Sequence, residues 1–147
     1  MATASVNPDT PHTIHASCVA YAGRAVLITG ASGSGKSGLA LQLIAIGARL
    51  VADDRTALTR RGDRLIATAP EAIRHQIEAR GIGILAARTT GPTPVVLVID
   101  MDHIEPERLP PARETEILGI TLPLQQKVNA PYFPAAILTY LEHGRIA

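Results

Sequence analysis

Aromatic residues are almost missing from this chain: they make up 3% of 147 residues, with no tryptophan, one phenylalanine and three tyrosines. That scarcity argues against a base-stacking platform for single-stranded nucleic acid. It leaves the core to Leu, Ile, Val and Ala, which suits packed α/β layers. An excess of charge is missing too. Fourteen Lys and Arg stand against 13 Asp and Glu, for a net charge of +1, and no basic run stands out. No nucleic-acid groove and no polybasic membrane patch is therefore expected. With Cys18 the single cysteine, an intramolecular disulfide is impossible, compatible with a reducing compartment. Cys18 itself reads as a small apolar strand residue rather than a reactive thiol. No apolar run approaches the ~20 residues of a spanning helix. The opening MATASVNPDTPH lacks the basic start and apolar centre of a signal peptide. The expectation is a soluble cytoplasmic protein without membrane contact. Internal repeats and low-complexity segments are also lacking.

What is present is a hydrophobic fraction of 46% in a length that suits one core. Residues 1–12, with two prolines and small polar side chains, are expected to form a loose tail, and 13–147 a single domain. Ile14 to Tyr21 reads as a strand, Gly23 as a turn, and Arg24 to Thr29 (RAVLIT) as a buried strand. Ser37 to Ile46 is dense enough in leucine and isoleucine for a buried helix, closed by Gly47. Arg49 to Ala52 is the next strand, completing a βαβ order. Thr56 to Thr59 and Arg64 to Ala67 suit a hairpin around Arg61, Gly62 and Asp63. Pro70 is expected to open a helix over 71–79, broken by Gly81 and Gly83. Val95 to Asp100 (VVLVID) is a second buried strand. A proline-rich stretch and a final helix over 134–142 follow.

Between RAVLIT and the first helix stands GASGSGKS, Gly30 to Ser37, which fits GxxxxGK[ST] at every fixed position. In such a loop the glycines permit φ > 0 and bring backbone N–H groups to phosphate oxygens. The loop of Gly30, Ala31, Ser32, Gly33, Ser34, Gly35, Lys36 and Ser37 is expected to hold a nucleotide. Lys36 would reach the β/γ-phosphates and Ser37 would bind Mg²⁺. A strand before and a helix after supply the context the motif needs.

Phosphoryl transfer also needs a carboxylate at the end of a neighbouring strand, to hold metal or take a hydroxyl proton. Asp53 and Asp54 stand at the end of the LVA strand. Adjacent residues on extended chain point opposite ways, so the two are expected to have different tasks. Asp100, after VVLVID, competes for the metal-side role, and spacing does not choose between them.

GASGSGKS, then GARLVADD (47–54), then APEAIRHQIEARGIGIL (69–85) resemble three consecutive signatures of the HPr kinase/phosphorylase family, in the family's order. The IHA of Ile14 to Ala16 resembles its leading histidine segment. The likeness covers about residues 12 to 87, and EARGIGI is its most discriminating part. It implies a single phosphate-loop α/β domain with a mixed sheet, of the HPr kinase/PEP carboxykinase-like kind. It implies ATP- and Mg²⁺-dependent phosphorylation of a serine of the phosphocarrier protein HPr, with phosphorolysis in many members. Residue by residue it implies Asp53 as base, Lys36 and Ser37 at phosphate and Mg²⁺, Glu78 and Asp54 on the metal side, and His15 beside the reacting phosphate. Arg108, in ERLP, matches the family's late catalytic arginine. A homo-oligomer, hexameric by resemblance, is also implied.

The bland alternatives are a strand histidine at His15, a helix ion pair of Glu78 with Arg74, and a surface arginine at Arg108. The sequence also departs from the family. A separate N-terminal domain is not expected in this length, Gly38 replaces a usually acidic residue, and LPLQQKVNAP (Leu122 to Pro131) lacks the PGRN-like element linked to dephosphorylation. Kinase activity is thus favoured over phosphorylase activity. A kinase of another substrate and a nucleotide-sensing regulator without catalysis are the other readings.

Overall fold

The computed structural model describes residues 10–147. The loose tail expected over 1–12 lies outside the described residues up to position 9. Its last residue, His12, already pairs with Leu58 in the first strand.

Among the described residues eleven strands and two α-helices follow in order. They are β1 (His12–Ile14), β2 (Ala16–Tyr21), β3 (Arg24–Thr29), α1 (Lys36–Ala45), β4 (Arg49–Ala52), β5 (Thr56–Arg61), β6 (Arg64–Thr68), β7 (Gln76–Ala79), β8 (Gly83–Ala86), β9 (Thr93–Ile104), β10 (Glu114–Ile117), β11 (Ile120–Lys127) and α2 (Phe133–His143). Nine strands share one mixed sheet, and β7 and β8 form a separate hairpin. β3 lies inside the sheet. It runs parallel to β9, with Thr29 opposite Asp100, and antiparallel to β2. β2 pairs in turn with β4, so the βαβ order of β3, α1 and β4 holds with β2 inserted between its strands. On the other side β9 is parallel to β11.

Both faces of β3 are covered, which is why its middle, Ala25 to Ile28, is apolar without alternation. Val26 and Ile28 pack under α1 and α2, against Leu39, Leu43, Ile137 and Leu141. Ala25 and Leu27 face the opposite way, toward Leu58, Leu65 and Val98. The strand therefore ends between two cores, and the loop starts from that fixed point. Cys18 belongs to the second core and is wholly buried, and that burial pushes its thiol far above the ordinary range. A thiol-directed alkylating reagent should leave native protein unlabelled and label one site after denaturation, as read by mass. Rapid native labelling would mean that β2 opens.

The helix expected over 71–79 does not form. Glu71–Ile73 make one 3₁₀ turn after Pro70, Arg74 is extended and His75 has φ 71°. From there the burial alternates, with Ile77 and Ala79 inside and Gln76 and Glu78 outside, and the segment pairs with β8. Two-residue periodicity outweighed the helix-opening proline. The Glu78–Arg74 helix pair falls with that helix, and Arg74 instead meets Glu71 at 3.1 Å. The strand expected from Ile14 to Tyr21 is divided at His15 into β1 and β2, which pair with different strands. β8, β10 and β11 were not expected. In β11 the alternation of buried Ile120 and Leu122 with exposed Thr121 and Pro123 was hidden by nearby prolines.

Candidate functional site

The glycine loop takes the conformation its sequence demands. Gly30 has φ 146°, and a Cβ there would lie 2.5 Å from Ser34 Oγ and 3.1 Å from Met101 Cβ. Gly35, at φ 102°, is the left-handed N-cap of α1. The Ala31 carbonyl accepts from the Ser34 N–H at 3.0 Å and from Lys36 Nζ at 3.1 Å. Lys36 is only 5% exposed. The Ala31 N–H donates to Asp102 Oδ1 at 3.0 Å.

At the end of β4 the two aspartates diverge, because Asp54 adopts φ 64°. Asp53 turns inward and is 8% exposed. Its Oδ1 accepts from Ser37 Oγ at 2.6 Å and from Ser17 Oγ at 2.9 Å, and its Oδ2 accepts from the Glu78 N–H at 3.0 Å. Asp54 turns outward with its side chain 59% exposed, and its Oδ1 lies 2.7 Å from His15 Nε2. The Asp54 N–H donates to Ser17 Oγ at 3.1 Å, so one serine hydroxyl ties the Asp53 carboxylate to the backbone of Asp54. Ser17 was missed by sequence reasoning; its signal was a serine inside an otherwise apolar strand. Asp102 was missed as well.

Lys36, Ser37, Asp54, Glu78, Arg80 and Ile82 are among the residues that line one open cavity of about 510 Å³. The end of β7 and the turn that follows it, Glu78 to Arg80 and Ile82, form one wall. Asp100, the competing carboxylate, sits beside Thr29, but Oδ1 accepts from the Asp102 N–H and Oδ2 meets His103 Nδ1 at 2.7 Å. Asp53, not Asp100, touches the loop serine. Arg108 is not brought to this place. It is exposed and lines a different cavity of about 350 Å³, with Tyr132 and Tyr140 of the α2 region.

The donors around Ser37 are hard oxygens, which fit Mg²⁺. No cluster of three or more His, Cys, Asp or Glu able to hold a metal occurs among the described residues. Mg²⁺ is usually held by one or two carboxylates plus substrate phosphates, so this sparse set suits it. Among the described residues no helix is long and apolar enough to cross a membrane.

A mixed α/β domain whose central strand feeds a glycine loop, with a buried carboxylate on the loop serine, has the form of a phosphate-binding α/β domain. Residues 9–126 match the HPr Serine kinase C-terminal domain family, and the chain belongs to that family. It is 37% identical over 132 residues to an HPr kinase/phosphorylase of Limosilactobacillus reuteri, covering 81% of this chain and 40% of that protein. It is 35% identical over 140 residues to one of Chloroherpeton thalassium, covering 86% and 40%. Over 78 residues it reaches 53% identity with one of Caldanaerobacter subterraneus, covering 52% and 26%. The chain thus spans 40% or less of these relatives' lengths. The solved structure of the Hpr(Ser) kinase/phosphatase from Coxiella burnetii matches with a TM-score of 0.74 at 30% identity, covering 89% of this chain and 88% of that one.

Proposed function

We propose that this protein is a serine kinase that transfers the γ-phosphoryl group of ATP to the phosphocarrier protein HPr, with Mg²⁺ bound at Ser37. The observation that carries this reading is the divergence of the aspartate pair beside the loop: one carboxylate is locked on Ser37, the other open to an incoming group. Catalysis would be positioning plus electrostatics. The backbone N–H groups of the loop and Lys36 hold the phosphate chain. Mg²⁺, when bound, would neutralise charge on the phosphate oxygens.

The geometry favours exchanging the roles that the resemblance implies for the pair. Asp53 is buried and already accepts three hydrogen bonds, which suits a group that orients Ser37 and the metal. Asp54 is exposed in the cavity and can take the proton of a serine hydroxyl, with His15 holding its carboxylate. Glu78 keeps its place on the metal side. Arg108 is left out of this set, since it lines another cavity. The reading also carries a cytoplasmic location and, by resemblance, a hexamer.

Transfer of label from γ-labelled ATP to purified HPr, dependent on Mg²⁺, is the expected result. Failure to label HPr, with ATP still bound, would favour another substrate or a sensor. The reverse reaction should be much weaker. Phosphate and phosphoserine each carry close to two negative charges. Unit like charges ~4 Å apart repel by about 4 kcal/mol at intermediate dielectric. Within Leu122 to Pro131 Lys127 is the only cation. It lines a cavity on the other side of the loop from Asp54. Serine-phosphorylated HPr with excess phosphate and Mg²⁺ should release pyrophosphate far more slowly than the forward rate; comparable rates would refute this.

A further inference from the structure

Ser17 is wholly buried in β2, a strand otherwise built of Ala, Cys, Val and Tyr. Burying a hydroxyl is costly unless it is hydrogen-bonded. Ser17 is bonded twice, both times to the aspartate pair. Its hydrogen goes to Asp53 Oδ1 at 2.9 Å, and its oxygen accepts the Asp54 N–H at 3.1 Å. A serine hydroxyl has one hydrogen, so the two directions fix each other.

The strand pairing explains why both aspartates meet this one hydroxyl. Val19 lies opposite Leu50, but Cys18 lies opposite Ala52, so Val51 is an extra residue in β4. Val19 and Leu50 belong to the core under the helices, and Cys18 and Val51 to the other core. Strict alternation from Leu50 would turn Asp53 to the side of Val51, away from α1. The extra residue reverses that, as a bulge re-aims the side chains beyond it. Asp53 therefore comes opposite Ser17 on the helix side, within reach of Ser37. Asp54 then leaves the strand at φ 64°. Such an angle is uncommon for a residue with a side chain and persists where its surroundings hold it. Ser17 Oγ is the group that takes the N–H of that turn.

We infer that Ser17 is a positioning residue for phosphoryl transfer: by accepting the Asp54 N–H it fixes the turn that aims the Asp54 carboxylate into the loop cavity. This rests on the kinase reading above, with Asp54 as the base. Ser17 is not among the residues that line the loop cavity, so its effect passes through Asp54. Asp53 keeps Ser37 Oγ and the Glu78 N–H without it.

The test is a double-mutant cycle on the labelling of HPr, at saturating ATP and Mg²⁺. Ser17→Ala should lower kcat by about ten- to a hundredfold, since a misplacement near ~1 Å can cost about a hundredfold. KM for ATP should stay within about twofold, as for loss of a contact that serves only the transition state. In an Asp54→Asn background the same change should cost less than about twofold, because a residue acting through one group loses its effect with that group. Ser17→Cys separates hydrogen bonding from packing. A thiol fills the space of the hydroxyl but is a weak donor and acceptor, so this variant should lose nearly as much as Ser17→Ala. Thermal unfolding gives the folded fraction, and rates are taken per folded protein. Unchanged kcat in Ser17→Ala, or an equal loss with and without the Asp54 carboxylate, would overturn the inference. So would a cycle that couples Ser17 to Asp53→Asn alone, which would put its effect on the metal side. Ser17→Cys at wild-type turnover would reduce Ser17 to a space-filling residue. An active wild type with any of these results removes this inference alone. Wild type that labels no HPr would remove the kinase reading, and this inference with it.

Discussion

Lys36→Ala should abolish phosphoryl transfer and leave the fold intact. Lys36 stands at the fixed lysine position of the loop and is almost fully buried. A buried ammonium at the phosphates stabilises negative charge that grows on the transferred group, in a place where water screens little. Loss of a single preorganised donor in such sites typically costs about 10²–10³ in turnover, and loss of a full positive charge should cost at least as much. The fold should survive because Lys36 has no ion-pair partner among the described residues; its hydrogen bond goes to the Ala31 carbonyl. Truncation therefore strands no carboxylate. Asp53 keeps its three donors. The measurement pairs HPr labelling with thermal unfolding. Near-normal turnover in this variant would sink the kinase reading, whatever the unfolding curve does.

Asp54→Asn should lower turnover by about 10²–10⁴-fold, the range for loss of a general base, with ATP affinity retained. Its carboxylate is exposed, and an amide can still occupy the same position beside His15. Asp53→Asn should behave differently. Three donors converge on the two Asp53 oxygens, and an amide has only one acceptor oxygen. Either Glu78 N–H or the pair of serine hydroxyls must then face an NH₂ group. A stranded buried donor costs roughly 1–3 kcal/mol. That variant should therefore be less stable, and should need more Mg²⁺ because Ser37 is no longer held. Titrating Mg²⁺ against rate for both variants separates the two roles. A severe rate loss in Asp53→Asn at saturating Mg²⁺, with a mild one in Asp54→Asn, would return the base to Asp53.

Much of this site is written in local sequence. GASGSGKS fixes a loop because only glycine accepts the backbone angles at Gly30 and Gly35, and because a strand and a helix flank it. RAVLIT and VVLVID announce strands buried on both faces, and LVADD puts a carboxylate at a strand end. The family signature was legible for the same reason: its motifs are short, contiguous and in order. The helix misplaced over 71–79 failed because a proline start is a weak local signal. The pairing of β7 with β8 is decided by a partner segment, which the sequence does not display as such.

The sequence by itself therefore determined the phosphate loop, the buried strands that hold it, and the presence of two adjacent aspartates after β4. Only the tertiary structure decided where each aspartate's carboxylate sits and what it meets. The reason is that the choice depends on groups far apart along the chain. Ser17 and the Glu78 N–H lie 36 and 25 residues from Asp53, and His15 lies 39 from Asp54. The left-handed turn at Asp54 sends one carboxylate into that buried hydrogen-bond network and the other into solvent. The sheet order likewise decided that Lys127 and Asn129 border the loop from one side and Asp54 from the other, since strand neighbours are set by long-range pairing rather than by any local pattern.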